Sequence, residues 1–348
     1  MIFSDYSINY YTSMKRLLFL YVALLSILLS SCGGEGVQLK PSVSGKAGEI
    51  LIVTTKANWE SEPGTLLRDI LAADYPLLPQ REPSFTLINI PDNAFTNIFQ
   101  IHRNIIILSV DPQKYPEPKF MIQEDVWSAP QTVITMTAPD AASATKLIEQ
   151  KRETIFNTFE QSERNRVIRS SKRYEEKPLR SLVADQFGGS PYFPNGYSLK
   201  KRTDDFIWIS YETTYINQGL FVYKIPVKDS TTMTLEGLIS ARNEVLEKNV
   251  PGMLEGSYMT TSIVKEKEPQ LKWIKYKGRE FGELRGLWEV QNDYMGGPFV
   301  QHAFYDKSGK NIIVLEGFVY APRYDKRNYL RQVESIIYSF DWAEDFSR

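Results

Sequence analysis

Residues 299–320 have the sequence FVQHAFYDKSGKNIIVLEGFVY, in which two apolar runs flank the polar segment DKSGKN. Each run has the length and the β-branched and aromatic content of a strand, and Asp306, Ser308 and Gly309 are residues that turns favour. The stretch therefore predicts an antiparallel hairpin. A helix is predicted after it, because apolar residues recur at spacings of three and four at Leu330, Val333, Ile337 and Phe340.

The preceding segments predict more strands of the same sheet. Asn217-Gln218-Gly219 is predicted as a turn into the strand LFVYKIPV, and further strands are expected through Trp273 and at Leu287–Val290. An earlier strand has one face formed by Ile207, Ile209, Tyr211 and Tyr215. A helix from Leu235 has an apolar side that consists of Leu238, Ile239, Val245 and Leu246.

The first half of the chain mixes strands and helices. Pro63-Gly64 begins a predicted helix, and Asp140 is expected to cap a longer one. The apolar stripe of that longer helix fades after Phe159, so residues 161–178 (QSERNRVIRSSKRYEEKP) are predicted as the junction between two halves. Strands are predicted at Gly48–Thr54, Phe85–Ile90, Asn104–Val110 and Thr132–Thr137.

These elements predict an α+β protein, because strands and helices segregate without a regular βαβ alternation. We expect two mixed subdomains, an N-terminal half at 45–175 and a C-terminal half at 176–348. The second should be a largely antiparallel sheet packed with helices.

The composition excludes several classes of protein. Of the 348 residues, 42% are hydrophobic and 24% charged, which excludes disordered, collagen-like and multi-pass membrane proteins. The net charge of −1 creates no basic field that would recruit nucleic acid. Cys32 is the single cysteine, and neither His102 nor His302 has a Cys or His partner at a metal-ligand spacing. We therefore expect no disulfide framework, no metal ion and no cofactor.

The N-terminus has the pattern of a bacterial secretory signal. Lys15 and Arg16 precede the apolar run LLFLYVALLSILL, which as a helix covers about 20 Å and is too short for a hydrocarbon core of roughly 30 Å. The following Leu29-Ser30-Ser31-Cys32 resembles the lipobox of bacterial lipoproteins. That resemblance implies a signal peptide at 1–31, with Met14 as an alternative start, and acyl chains on Cys32.

Residues 32–44 have little apolar content and are predicted as a flexible tether to the membrane. Surface-exported lipoproteins of Bacteroidota resemble one another in carrying an acidic run just after the cysteine. Only Glu35 is acidic in this segment. The expected location is therefore the outer membrane, with the protein lipid-anchored and facing the periplasm.

Four short motifs follow one another along the chain: Leu78–Phe85 (LPQREPSF), Arg103–Ile106 (RNII), Arg285–Trp288 (RGLW) and Met295–Phe299 (MGGPF). Together they resemble an uncharacterised family of Bacteroidota lipoproteins, classed as a domain of unknown function. The resemblance covers nearly the whole mature chain. It implies an envelope lipoprotein and carries over no catalytic residue.

The Met295–Phe299 segment is predicted as a loop in which Gly296 or Gly297 has a positive φ. One interpretation is a ligand site, in which these glycines lie beside Trp288 and Asp293. The alternative is a tight connection between strands with aromatic packing.

Arg242 falls among the apolar residues of the helix that begins at Leu235. Its guanidinium is a candidate clamp for an anionic ligand. The alternative is an arginine at the edge of the stripe, whose stem packs while its head reaches water.

The function expected from these observations is binding or scaffolding in the cell envelope without catalysis. The membrane is a partner through the acyl chains, and another envelope protein or a glycan is a candidate partner. The alternative is a periplasmic hydrolase that uses a carboxylate pair, with glycan as its candidate substrate. A cleft with two nearby carboxyl groups would favour the hydrolase.

Overall fold

A computed structural model describes residues 39–346 of the chain, and the first half contains a five-stranded sheet. Its strands are β1 (Glu49–Val53), β2 (Thr86–Ile90), β3 (Asn104–Val110), β4 (Lys119–Glu124) and β5 (Thr132–Ala138). Their order is β2-β1-β3-β5-β4, and all neighbours are parallel except β4, which lies antiparallel to β5. Buried aliphatic residues of β1, β3 and β5 line both faces of this sheet.

Helices cover one face of the five-stranded sheet. The helices of this half are α1 (Lys56–Glu60), α2 (Glu62–Leu71), α3 (Asn97–Gln100), α4 (Ala141–Gln150) and α5 (Arg152–Arg173). Residues of α2, α4 and α5 pack on the sheet around Phe85 and Phe159. The expected cap of α4 is confirmed, because the Asp140 carboxylate accepts a hydrogen bond from the backbone N–H of Ser143 at 2.7 Å.

The second half contains an antiparallel sheet of eight strands. After α6 (Lys177–Phe187), its strands are β7 (Ser198–Arg202), β8 (Phe206–Glu212), β9 (Asn217–Pro226), β10 (Met259–Ser262), β11 (Gln270–Tyr276), β12 (Arg279–Val290), β13 (Gly296–Tyr305) and β14 (Asn311–Tyr320). The order is β10-β12-β13-β14-β9-β8-β7, and β11 also pairs with β12. The hairpin predicted at 299–320 is confirmed as β13 and β14.

Helices cover both faces of this larger sheet. Helix α7 (Leu235–Asn249) packs on one face, and α8 (Arg327–Tyr338) packs with α6 on the other. The short strands β6 (Gly189–Ser190) and β15 (Asp341–Trp342) form a separate pair. Helix α8 also contacts α5, so it lies between the first half and the larger sheet. The α+β prediction, with a largely antiparallel second sheet, is confirmed.

Two findings concern the membrane expectations. Among the helices of residues 39–346, none is both long enough and apolar enough to cross a membrane. Ser42 and Ser44 form β-bridges to Ala129 and His102, so the last residues of the predicted tether are hydrogen-bonded to the first half.

Residues 161–178, predicted as the junction between the halves, are helical for most of their length, because α5 continues to Arg173. The buried positions of this part of the helix include Glu163 and Ser171, so the apolar stripe fades although the helix does not. Glu163 forms ion pairs with Arg103 and Arg166 at 3.1 and 3.0 Å. Paired charges therefore replace aliphatic packing here.

Two strand boundaries also differ from the prediction. Strand β8 ends at Glu212, so Tyr215 lies in the following turn rather than on the strand face. Asn217, Gln218 and Gly219, predicted as a turn, are the first residues of β9. The turn predicted there is displaced toward the N-terminus, to residues 213–216.

The expectation of a positive φ at Gly296 or Gly297 is wrong, since both residues lie in β13 without one. In this hairpin the positive φ of 64° belongs to Asn292. The glycines are required for space instead. A Cβ on Gly297 would overlap the backbone oxygen of Val319, and one on Gly296 would lie 2.8 Å from that of Trp288.

The LPQREPSF segment docks on the N-terminal end of α8. The two carboxylate oxygens of Glu82 accept hydrogen bonds from the backbone N–H groups of Lys326 and Arg327, at 2.7 and 2.9 Å. No side chain of α8 itself caps this end. A carboxylate from the first half therefore satisfies the unpaired N–H groups and complements the helix dipole. The carbonyl of Ser84 also accepts a hydrogen bond from Arg331.

Candidate functional site

A cluster of buried ionisable residues lies between α8 and the larger sheet. We call it the charged core, and it consists of Tyr75, Arg164, Glu283, Arg285, His302, Glu334 and Tyr338. Arg285 bridges two carboxylates, with Glu283 at 2.8 Å and Glu334 at 2.6 Å. Tyr75 and Tyr338 donate their hydroxyls to Glu334 and Glu283, at 2.9 and 2.8 Å.

Strand and helix periodicity bring these groups together. Glu283 and Arg285 are two residues apart on β12, so both side chains point to the face that α8 covers. Glu334 and Tyr338 are four residues apart on α8, which places them on one side of the helix. Arg164 of α5 completes the cluster through an ion pair of 3.2 Å with Glu334.

The charged core holds its carboxylates in the ionised state. Burial alone would raise the pKa of Glu283, but the charge of Arg285 holds it well below its usual range. Burial likewise opposes ionisation of Glu334, while Arg285 and Arg164 lower its pKa. Glu283 and Glu334 expose only 7% and 3% of their side chains. An ionised, shielded pair is poorly suited to protonate a glycosidic oxygen, which is the task of the general acid in a hydrolase.

Arg242 lies fully buried, so the interpretation in which its head reaches water is wrong. Its guanidinium binds both carboxylate oxygens of Glu316, at 2.7 and 3.0 Å, and also donates to the Thr261 hydroxyl at 2.9 Å. The guanidinium carbon lies 3.9 Å from the ring centroid of Phe299. Arg242 clamps a carboxylate, but the carboxylate belongs to the same chain.

Trp288, Asp293, Gly296 and Gly297 line none of five main cavities within residues 39–346. The Trp288 ring is buried and its Nε1 donates to the carbonyl of Val319 at 3.3 Å. The Asp293 carboxylate accepts a hydrogen bond from the next backbone N–H in the turn. Gly296 and Gly297 lie in strand pairs with β12.

Two other expectations concern lipidation and metals. Cys32 lies outside the described residues. Within residues 39–346, no group of three or more His, Cys, Asp or Glu side chains is arranged to hold a metal ion.

A cavity of about 490 Å³ lies where α5 and α8 meet the end of the larger sheet. We call it the neutral cavity, because no side chain that lines it carries a charge. The lining residues are Val167, Ser170, Ser171, Pro194, Asn195, Tyr197, Tyr211, Thr213, Ile216, Gln218, Tyr329, Gln332 and Ile336.

The neutral cavity is lined by both aromatic rings and amides. The rings of Tyr197 and Tyr211 are tilted against each other with centroids 5.8 Å apart. The Gln218 amide donates to the Gln332 side chain at 2.9 Å and to the Tyr329 carbonyl at 3.2 Å. Burial raises the pKa of Tyr197, so its hydroxyl stays neutral. The cavity thus offers apolar ring faces together with neutral donors and acceptors.

The sequence contains a signal for the buried ion pairs. Glu316 lies inside the apolar run IIVLEGFVY, and Glu334 lies beside the apolar stripe of α8. A buried carboxylate requires a cation, which predicts ion pairs without naming their partners. The neutral cavity had no such signal, because distant segments supply its lining.

The pH dependence of folding tests the charged core. Burial lowers the pKa of His302 to about 4, from 6.5 for an exposed histidine. An unfolded chain takes up a proton here as the pH falls from about 6.5 to about 4, whereas the folded chain does not. The free energy of unfolding is therefore expected to fall by roughly 3 kcal/mol across this window.

His302→Gln, which does not titrate, should flatten that decline. Urea unfolding at about pH 7, 6 and 5 measures the effect. Burial also lowers the pKa of His102, while its contacts with Asn104 and Glu49 oppose the shift, so His102→Gln should flatten the decline less than His302→Gln does. An unchanged pH slope in His302→Gln would contradict a proton-free His302 in the folded chain.

Residues 177–339 match the family model of a domain of unknown function, DUF4837, and residues 43–172 match that of another, DUF8532. No curated protein matches the chain. Among solved structures, the human StarD13 (DLC2) lipid transfer and protein localization domain is similar at 11% identity and a TM-score of 0.21, over 46% of this chain and 95% of that one. The chain therefore consists, over most of its length, of two consecutive regions that match uncharacterised domains of unknown function.

Proposed function

We propose that the protein is a lipid-anchored outer-membrane protein that faces the periplasm and binds a neutral glycan without catalysis. The observation that carries the binding function is the neutral cavity, whose lining combines tyrosine rings, amides and hydroxyls. Sugar rings have apolar C–H faces and a rim of hydroxyl groups, which match aromatic faces and amide groups respectively. A charged ligand would find no counter-charge in this lining.

The same observation weighs against the alternative of a hydrolase. No carboxylate lines the neutral cavity, so a glycan bound there would meet neither a general acid nor a nucleophile. The carboxylates of the charged core are ionised, shielded and paired with Arg285.

Anchoring at Cys32 is supported by the lipobox pattern and by the short distance to the folded body. Backbone pairing is present from Pro41, whose carbonyl accepts a hydrogen bond from Ala129. Nine residues of extended chain span at most about 30 Å, so acyl chains on Cys32 would tether Pro41 within about that distance of the membrane.

Binding of neutral tetrasaccharides tests the function. Purified full-length protein is expected to bind at least one of chitotetraose, mannotetraose and maltotetraose in titration calorimetry. Tyr211→Ala removes a ring face and should weaken binding about tenfold. Tyr197→Phe removes one hydroxyl and should weaken it roughly three- to tenfold.

The matched control is Tyr215→Ala. Tyr215 is as exposed as Tyr211, 41% against 37%, but it packs under Arg323 outside the cavity. Its loss should leave binding unchanged. Equal weakening by the changes at Tyr211 and Tyr215, or no binding of any tetrasaccharide, would contradict the assignment.

Anchoring has its own test in cells. Cys32→Ala removes the only thiol, so metabolic labelling with a radioactive fatty acid should mark the wild-type protein and not the variant. Protease added to intact cells should spare the protein and digest it once the outer membrane is opened. Label that persists in Cys32→Ala would rule out anchoring at this residue, and digestion in intact cells would reverse the orientation.

A further inference from the structure

A second cavity, of about 350 Å³, lies at the turn between β11 and β12, beside the end of α8. We call it the Arg279 cavity. Aromatic residues form much of its wall, and Lys277 and Arg279 lie at the turn. The aromatic members are Tyr276, Tyr338, Phe340 and Trp342.

Arg279 is a largely buried cation without a carboxylate partner. Within residues 39–346, no Asp or Glu oxygen forms an ion pair with it, and its Nε has no hydrogen-bond partner. Its Nη1 donates to the carbonyl of Phe340 at 3.0 Å, and its guanidinium carbon lies 4.8 Å from the ring centroids of Phe304 and Phe340. Burial lowers the pKa of Arg279 to about 10, and the nearby Asp341 offsets this only in part.

Lys277 adds a second cation at the mouth. Its ammonium lies 5.4 Å from the Tyr276 ring and forms no ion pair with another residue of the described chain. Two carboxylates also line the cavity, and neither is without a partner. Asp341 forms an ion pair with Lys172 at 3.0 Å, and Asp345 also contacts another residue. Counting Lys172, three cations stand against two carboxylates, so the net charge around the cavity is positive.

We propose that the Arg279 cavity binds a phosphate monoester attached to an apolar or aromatic group. The guanidinium and the ammonium would pair with the phosphate oxygens, and the aromatic wall would cover the attached group. A dianionic phosphate matches two cations, and its binding would compensate the desolvation of Arg279. The phosphate can belong to a lipid headgroup or to a free phosphorylated molecule.

The test measures binding of phenyl phosphate to the purified full-length protein by titration calorimetry. Arg279→Gln should weaken binding roughly ten- to a hundredfold, as expected for a charged hydrogen bond. Lys277→Asn should weaken it about fivefold, as expected for one partly exposed charge. Lys272→Gln, on exposed β11 outside the cavity, is the matched control and should change nothing.

The variant at Lys277 keeps the test decisive if Arg279→Gln does not fold. Lys277 and Gly278 both have left-handed φ values, 48° and 78°, and asparagine adopts that conformation more readily than lysine. Weaker binding by Lys277→Asn therefore cannot come from a disrupted turn.

Two further ligands distinguish the sources of the phosphate. Inorganic phosphate should bind at least tenfold more weakly than phenyl phosphate, because it has nothing to place against the rings. Tighter binding of soluble dihexanoyl phosphatidate than of phenyl phosphate assigns a lipid headgroup, and the reverse order assigns a free phosphorylated molecule.

The proposal is overturned if neither phenyl phosphate nor the phosphatidate binds, or if both changes leave binding intact. Tyr211→Ala should bind phenyl phosphate like the wild type, so failure of this proposal and failure of glycan binding are distinguishable.

Discussion

Helix α8 is held by two carboxylates, and the packing of both sheets depends on them. Glu334 of α8 accepts contacts from Arg285 of the larger sheet, from Arg164 of α5 and from Tyr75 of the first half. Glu82 of the first half in turn caps the N-terminal end of α8. Removing either carboxylate would leave buried cations or buried N–H groups without partners, which costs more than an ordinary surface contact.

This feature bears on function because many of the buried charged groups are already paired with one another. Arg242, Arg285, Glu283 and Glu334 all have partners within the chain, so their chemistry serves the fold. Two cavities beside α8 are candidates for ligand binding. Tyr329, Gln332 and Ile336 border the neutral cavity, and Tyr338 borders the Arg279 cavity. Helix α8, which contacts both halves, thus lines one neutral cavity and one cavity of positive charge.

Local patterns in the sequence predict the elements but not the contacts between them. The hairpin at 299–320, the cap at Asp140 and the stripe of α8 follow from residues close in sequence, and all three are present. The apolar stripe of α5 fades after Phe159 because the buried side of the helix includes Glu163, whose partners lie on other elements.

The same limit applies to the candidate sites. The partner of Arg242 is Glu316, far along the chain, so the sequence shows an arginine in an apolar stripe and not what it binds. The sequence predicts a positive φ for a glycine of the Met295–Phe299 segment, yet these positions require glycine because neighbouring backbone leaves no room for a Cβ. The neutral cavity draws its lining from α5, α8 and the strands around β8, and it has no local signature.

Native-state hydrogen exchange on Glu82→Ala tests most directly the claim that this carboxylate couples the two halves through α8. The account predicts that the exchange free energy falls by about 2 kcal/mol for slow amides of both sheets, since a buried cap is lost. Glu62→Ala, an acidic residue in the first turn of α2 without a capping bond, should change little. A loss confined to α8, or to one sheet alone, would contradict the account.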